Sequence, residues 1–167
     1  PAVADGAAAP GAARVVSTDA AATEILRLLG EGDRLVAVDS ASELPAGREL
    51  PRLGYHRALS AEGLIALAPD LVIGSEHMGP PHVIETLARA EVPVLRLPSP
   101  RDLSQLESNI AAIARATGSG RTAAVLDSIA LRREQLRKRA LRGLTAAFVL
   151  RGEGGKLRLA GAGEVAL

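Results

Sequence analysis

Four times between residues 14 and 120, a short run of valine, isoleucine or leucine gives way to a helical pattern. Residues 14–17 read as a strand, and Asp19 caps a helix whose Ile25, Leu28 and Leu29 share a face before Gly30 ends it. Residues 35–39 read as a second strand. After an irregular stretch holding Pro45 and Pro51, Ser60 caps a short helix with Leu64, Ile65 and Leu67 that stops before Pro69. Residues 70–75 are a third strand, and Gly79-Pro80-Pro81 opens a helix that turns Val83, Ile84 and Leu87 inward. Residues 92–97 are a fourth strand. In Ser99-Pro100-Arg101-Asp102, a capping serine, a proline at the first helical position and an acid in the first turn predict another helix start. Leu103, Leu106, Ile110, Ile113 and Thr117 then recur at helical steps.

This alternation predicts the α/β class: a Rossmann-like lobe with a parallel four-stranded sheet, helices on both faces and right-handed crossovers. Such sheets bind ligands at the carboxyl ends of their strands. Those ends bring Ser17, Thr18, Asp39, Ser40, Glu76, His77, Met78, Gly79, Pro98 and Ser99 to one cleft wall.

Gly118-Ser119-Gly120 breaks the pattern, and a long helix follows over residues 121–142, its stripe interrupted by Arg132. Residues 147–150 and 156–160 read as two more strands, joined by a turn at 152–155. The predicted domains are a disordered tail (1–13), an α/β lobe (14–120), a connecting helix (121–142) and the beginning of a second lobe (143–167). Uncovered strands over 146–167 would offer an edge for a homodimer.

Composition removes several classes of function. With no cysteine, the chain has no disulfide, thiolate metal site or cysteine nucleophile. Six of its 20 Lys and Arg residues crowd into 132–142, the pattern of a solvated helix face. Nucleic-acid binding would want a broad basic face and stacking aromatics, and the aromatics here are one Tyr and one Phe. No stretch is long and apolar enough for membrane insertion. The tail PAVADGAAAPGAA suits what is left after a signal peptide is removed, or the loose start of a cytoplasmic chain. The three histidines form no zinc or manganese set, and neither a phosphate loop nor a G-x-S-x-G elbow is present, so no enzyme chemistry is indicated.

The lone tyrosine, Tyr55, lies in a loop, Gly54-Tyr55-His56-Arg57. A phenolate is a known axial ligand of ferric haem. In an extended segment residues i and i+2 point to the same side, which would let Arg57 donate to the Tyr55 oxygen and favour its ionised form, with His56 pointing away. The other reading of Tyr55 is an amphipathic side chain with its hydroxyl in water. His77 and Met78, at a strand end, carry the imidazole and thioether that also serve haem iron, as a second ligand or for a second haem.

Three stretches resemble the haem-carrying substrate-binding proteins of bacterial ABC importers, a group related to carriers of vitamin B12 and ferric siderophores: RVVSTDAAATEILRLLGEGDRLVAVDSAS, LGYHRALSAEGLIALAPDLVIGSEHMGPP and VPVLRLPSPRDL. The resemblance implies a periplasmic or extracytoplasmic protein that captures ferric haem and delivers it to an importer. Tyr55 would be the axial ligand, Arg57 its hydrogen-bonding support, and Glu62 a docking contact for the ABC importer permease. Helix N-termini after Thr18 and Ser99 would receive the propionates. It further implies two lobes joined by a long helix, of which the second is incomplete here. A cobalamin or siderophore carrier, and a Rossmann-like enzyme or interaction domain, are the alternatives.

Overall fold

The computed structural model describes residues 11–138 and two later strands, 149–151 and 157–159. Its strands β1 (Val15–Ser17), β2 (Leu35–Val38), β3 (Leu71–Ser75) and β4 (Val94–Leu97) form one sheet in the order β2-β1-β3-β4. All pairings in it are parallel. The expected α/β lobe is therefore present. A parallel sheet is covered on both faces, and so β1 is buried at all three positions and β3 at four of five.

Helices α1 (Ala20–Leu28) and α4 (Leu103–Thr117) pack on each other, as do α2 (Ala61–Ala66) and α3 (Pro81–Arg89). Alternation along the strands divides the core accordingly. Val16, Ala37 and Val72 join Leu64, Val83 and Leu87 of α2 and α3 in one apolar cluster. Each fully buried leucine of this kind contributes about 1.5–3 kcal/mol of burial free energy.

Asp19 caps α1, accepting from the amides of Ala21 and Ala22, and Ser60 caps α2, accepting from Gly63, both as expected. The start of α4 differs from the expectation. Its cap is Asp102, whose carboxylate accepts the amide of Gln105 at 2.8 Å, and Ser99 lies outside the helix. An ionised acceptor makes the stronger bond to the first-turn amides, and the Ser99 amide is engaged elsewhere. Gly118 ends α4 in the left-handed conformation (φ 71°), which a side chain would resist.

Of the predicted tail, residues 1–10 lie outside the described residues. Ala12, expected in that tail, is buried, and the Ala13 amide donates to Asp70 Oδ2 at 2.9 Å. Asp70 thereby holds the entry to β1.

The chain divides into two units between Leu126 and Asp127, within α5 (Thr122–Lys138). The second unit contains an antiparallel pair, β5 (Val149–Arg151) and β6 (Leu157–Leu159), close to the two strands expected there. Residues 139–142 of the expected long helix, the turn at 152–155 and most of the proposed dimer segment lie outside the described residues. No helix among the described residues is long and apolar enough to cross a membrane.

Candidate functional site

Tyr55 is carried on a loop that main-chain hydrogen bonds stitch along the carboxyl edge of the sheet. Residues 51–54 run parallel to the end of β2: Leu53 donates to the Val38 carbonyl at 2.9 Å, and Ser40 to the Gly54 carbonyl at 3.1 Å. Gly54 then turns the chain at φ 79°, where a residue with a Cβ would be strained. On the other side His56 accepts from Gly79, and Gly79 accepts from Leu59, each at 3.0 Å. The loop is thus tied to the ends of both β2 and β3. At its tip Tyr55 is 57% exposed.

The tip is not extended. The Ala58 amide donates to the Tyr55 carbonyl at 2.9 Å, closing a β-turn. The same-side relation expected of Tyr55 and Arg57 is lost, because that alternation belongs to extended backbone. Among the described residues neither side chain has a hydrogen-bond partner, and the two are not bonded to each other. His56, expected to point away, lies against the tyrosine, its ring centroid 4.5 Å from the phenol ring.

The loop after β3 separates its expected ligands. His77 is half exposed, with Nε2 3.8 Å from Glu76 Oε1. Met78 is 3% exposed and belongs to the apolar cluster beneath the sheet edge. Its amide bonds to the Ser75 carbonyl, and this turn directs the thioether inward, away from any ligand on the edge. An apolar side chain gains more from burial than from the rim. Gly79 is buried as well. Glu76 accepts the Ser99 amide at 2.9 Å, and its main chain accepts from Arg96, so this loop is fastened to the end of β4. The bond from the Ser99 amide is the first cause holding the Glu76 carboxyl below its ordinary range, with His77 and Arg101 adding to it. Pro98 is exposed, and its carbonyl receives Asn109 Nδ2 at 2.9 Å from α4.

At the other end of the edge, Ser17, Thr18 and Asp39 are buried and Ser40 is exposed. Ser17 and Thr18 serve packing. The Thr18 hydroxyl occupies the space where a side chain on Gly74 would stand, and Thr23 Oγ1 donates to Ser17 Oγ at 2.8 Å. Thr23 also bonds Ser42 Oγ at 2.7 Å, and Ser42 is bound to the Asp39 carboxylate. Thr23, Ser42 and Arg52, which holds this turn from outside, escape a reading of the sequence, since nothing marks one serine, threonine or arginine among many.

Both helix N-termini proposed for propionates are closed by carboxylates, Asp19 at α1 and Asp102 at α4. A second anion there would meet like charge and occupied amides. Glu62 is exposed in the first turn of α2, and its own amide and the Ser60 hydroxyl hold its carboxyl below the ordinary range. Among the described residues no group of three His, Asp or Glu is placed to hold a bare metal ion.

Residues 15–154 match the family described as periplasmic binding protein. The chain belongs to that family. Among solved structures this family member is similar to the periplasmic heme binding protein HutB of Vibrio cholerae, with 34% identity and a TM-score of 0.77 over 88% of this chain and 58% of that one. A periplasmic heme binding protein from Pseudomonas aeruginosa is 38% identical with a TM-score of 0.76, covering 89% of this chain and 56% of that one. The vitamin B12-binding protein of Yersinia pestis (strain Pestoides F) is 29% identical over 108 residues, 64% of this chain and 38% of that relative. The chain therefore spans well under two thirds of the length of the relatives it matches.

Proposed function

We propose that this periplasmic binding protein captures ferric haem through the Tyr55 phenolate and carries it to an ABC importer. The observation that carries this reading is the exposed phenol on a loop fastened to both β2 and β3 at the ligand-binding edge of the sheet. A phenolate is a hard anionic ligand suited to ferric iron. The greater identity to the two heme-binding structures than to the B12-binding relative supports the same choice. Arg57, two positions along the turn and unbonded, is free to swing toward a bound phenolate and support its charge. His77, half exposed on the neighbouring loop, is the candidate second ligand. Glu62 would meet the permease, the following helix α5 would be the connector to a second lobe, and the chain would act outside the cytoplasm after loss of a signal peptide. The protein binds and releases its cargo unchanged.

Titration with hemin tests the reading. Wild type should develop a Soret band and a high-spin phenolate charge-transfer band, and Tyr55→Phe should lose the latter. A wild type that leaves the hemin spectrum unchanged would falsify it.

A second reading, a cobalamin carrier, rests on the Yersinia relatives. It predicts a calorimetric response to cyanocobalamin that Tyr55→Phe retains.

A further inference from the structure

We propose that Arg52 is a positioning residue for Tyr55, a role that rests on the haem reading above. Its Nη1 donates to the carbonyl of Asp39 at 2.9 Å and to that of Ser42 at 2.5 Å. Those carbonyls belong to a turn that is closed from within. The Asp39 carboxylate accepts the amides of Ala41 and Ser42 at 3.2 and 3.0 Å, and Ser42 is bonded through Thr23 to α1. Arg52 therefore grips a part of the molecule that is itself held fast. Its main chain meanwhile pairs with Val38, and Tyr55 follows three residues later.

Among the described residues, these two bonds are the side-chain hydrogen bonds of residues 51–59. The β3 side of the loop is secured by main-chain bonds to Gly79, and the β2 side by the main-chain bonds of Pro51, Leu53 and Gly54 with Val38 and Ser40 together with the Arg52 cation. A charged donor is about twice as strong as a neutral one, so the two Arg52 bonds are a substantial tie on the β2 side, and they are the ones that reach the Asp39–Ser42 turn. Without them, Gly54 and Tyr55 keep the Gly79 anchor and the main-chain pairing with β2 but lose the grip on the Asp39–Ser42 turn. Groups that orient a metal ligand act on affinity without touching the metal.

Both bonds leave from one nitrogen, and the planar guanidinium fork is not used as a fork. A lysine ammonium, with three donors, can replace it in large part. A suitable control is Arg48, whose guanidinium bonds the carbonyls of Gly32 and Leu35 at 2.7 and 3.1 Å, at the opposite end of β2.

The test compares wild type, Arg52→Ala, Arg52→Lys and Arg48→Ala by two measurements: amide exchange at Ser40 without hemin, and hemin affinity from the Soret band. Arg52→Ala should exchange about tenfold faster at Ser40 and bind hemin about tenfold more weakly. Arg52→Lys should stay within about threefold of wild type in both. Arg48→Ala should lower the melting temperature and change neither. Wild-type exchange at Ser40 in Arg52→Ala overturns the proposal, as does an equal loss in Arg48→Ala. If wild type takes up no hemin, the haem reading falls, and exchange at Ser40 still decides whether Arg52 positions the loop.

Discussion

The carboxylate of Glu76 accepts the amide of Ser99 at 2.9 Å, joining the loop after β3 to the loop after β4. The bond favours the ionised acid and lowers its pKa below the ordinary 4.5. Its stabilising effect is present above the unfolded value and is lost as pH falls through the lower native one. Melting temperature should therefore drop on acidification below about pH 4.5, and the drop should be shallower in Glu76→Gln. Melts of both proteins across the acid range would show it, and identical slopes would exclude Glu76 as a contributor.

Gly74 faces the Thr18 hydroxyl so closely that a Cβ would collide with it, and Met78 Sδ would lie 3.1 Å from the same atom. Gly74→Ala is expected to destabilise by about 1–3 kcal/mol, since the site is already full. Thr18→Ala in the same chain should recover part of that loss. Urea denaturation of the two single variants and the double variant measures the coupling.

Met78 and His77 are adjacent in sequence and opposite in role. Met78→Ala should cost about 2–5 kcal/mol by opening a cavity in the apolar cluster, whereas His77→Ala should change stability by less than about 0.5 kcal/mol. Any change in the hemin spectrum should follow His77. The reverse pattern would place the thioether at the iron.

Tyr55 is exposed and makes no side-chain hydrogen bond among the described residues, so Tyr55→Phe should leave stability within about 0.5 kcal/mol of wild type. Loss of the charge-transfer band at unchanged melting temperature would separate ligation from folding.

Asp102→Ala should cost about 1 kcal/mol through loss of the α4 cap. Ser99→Ala should cost less, because the Ser99 side chain caps no helix and its main-chain amide keeps the bond to Glu76. Thermal unfolding of the pair distinguishes the two candidate caps.

The sheet, its parallel direction and the caps Asp19 and Ser60 were legible because periodicity and capping chemistry are local. That Tyr55 lies on a loop was legible for the same reason, whereas its place at the sheet edge comes from the bonds to Val38, Ser40 and Gly79. The bend at Tyr55–Ala58 was not: it depends on the bond between His56 and Gly79, partners far apart in sequence. The inward turn of Met78 also escaped, because the Thr18–Gly74 contact that shapes its site is made across two strands. Ser99 and Asp102 both satisfy the capping rule, and only the folded chain shows that the Asp102 carboxylate is the one accepting a first-turn amide.

The fastening of the loop by groups other than the side chains at its tip has an evolutionary consequence. Side chains at positions 55, 56 and 57 owe nothing to the scaffold, so their identities can drift without unfolding it. One frame can then serve a repertoire of cargoes, each chosen by exchanging a few letters on a platform already built.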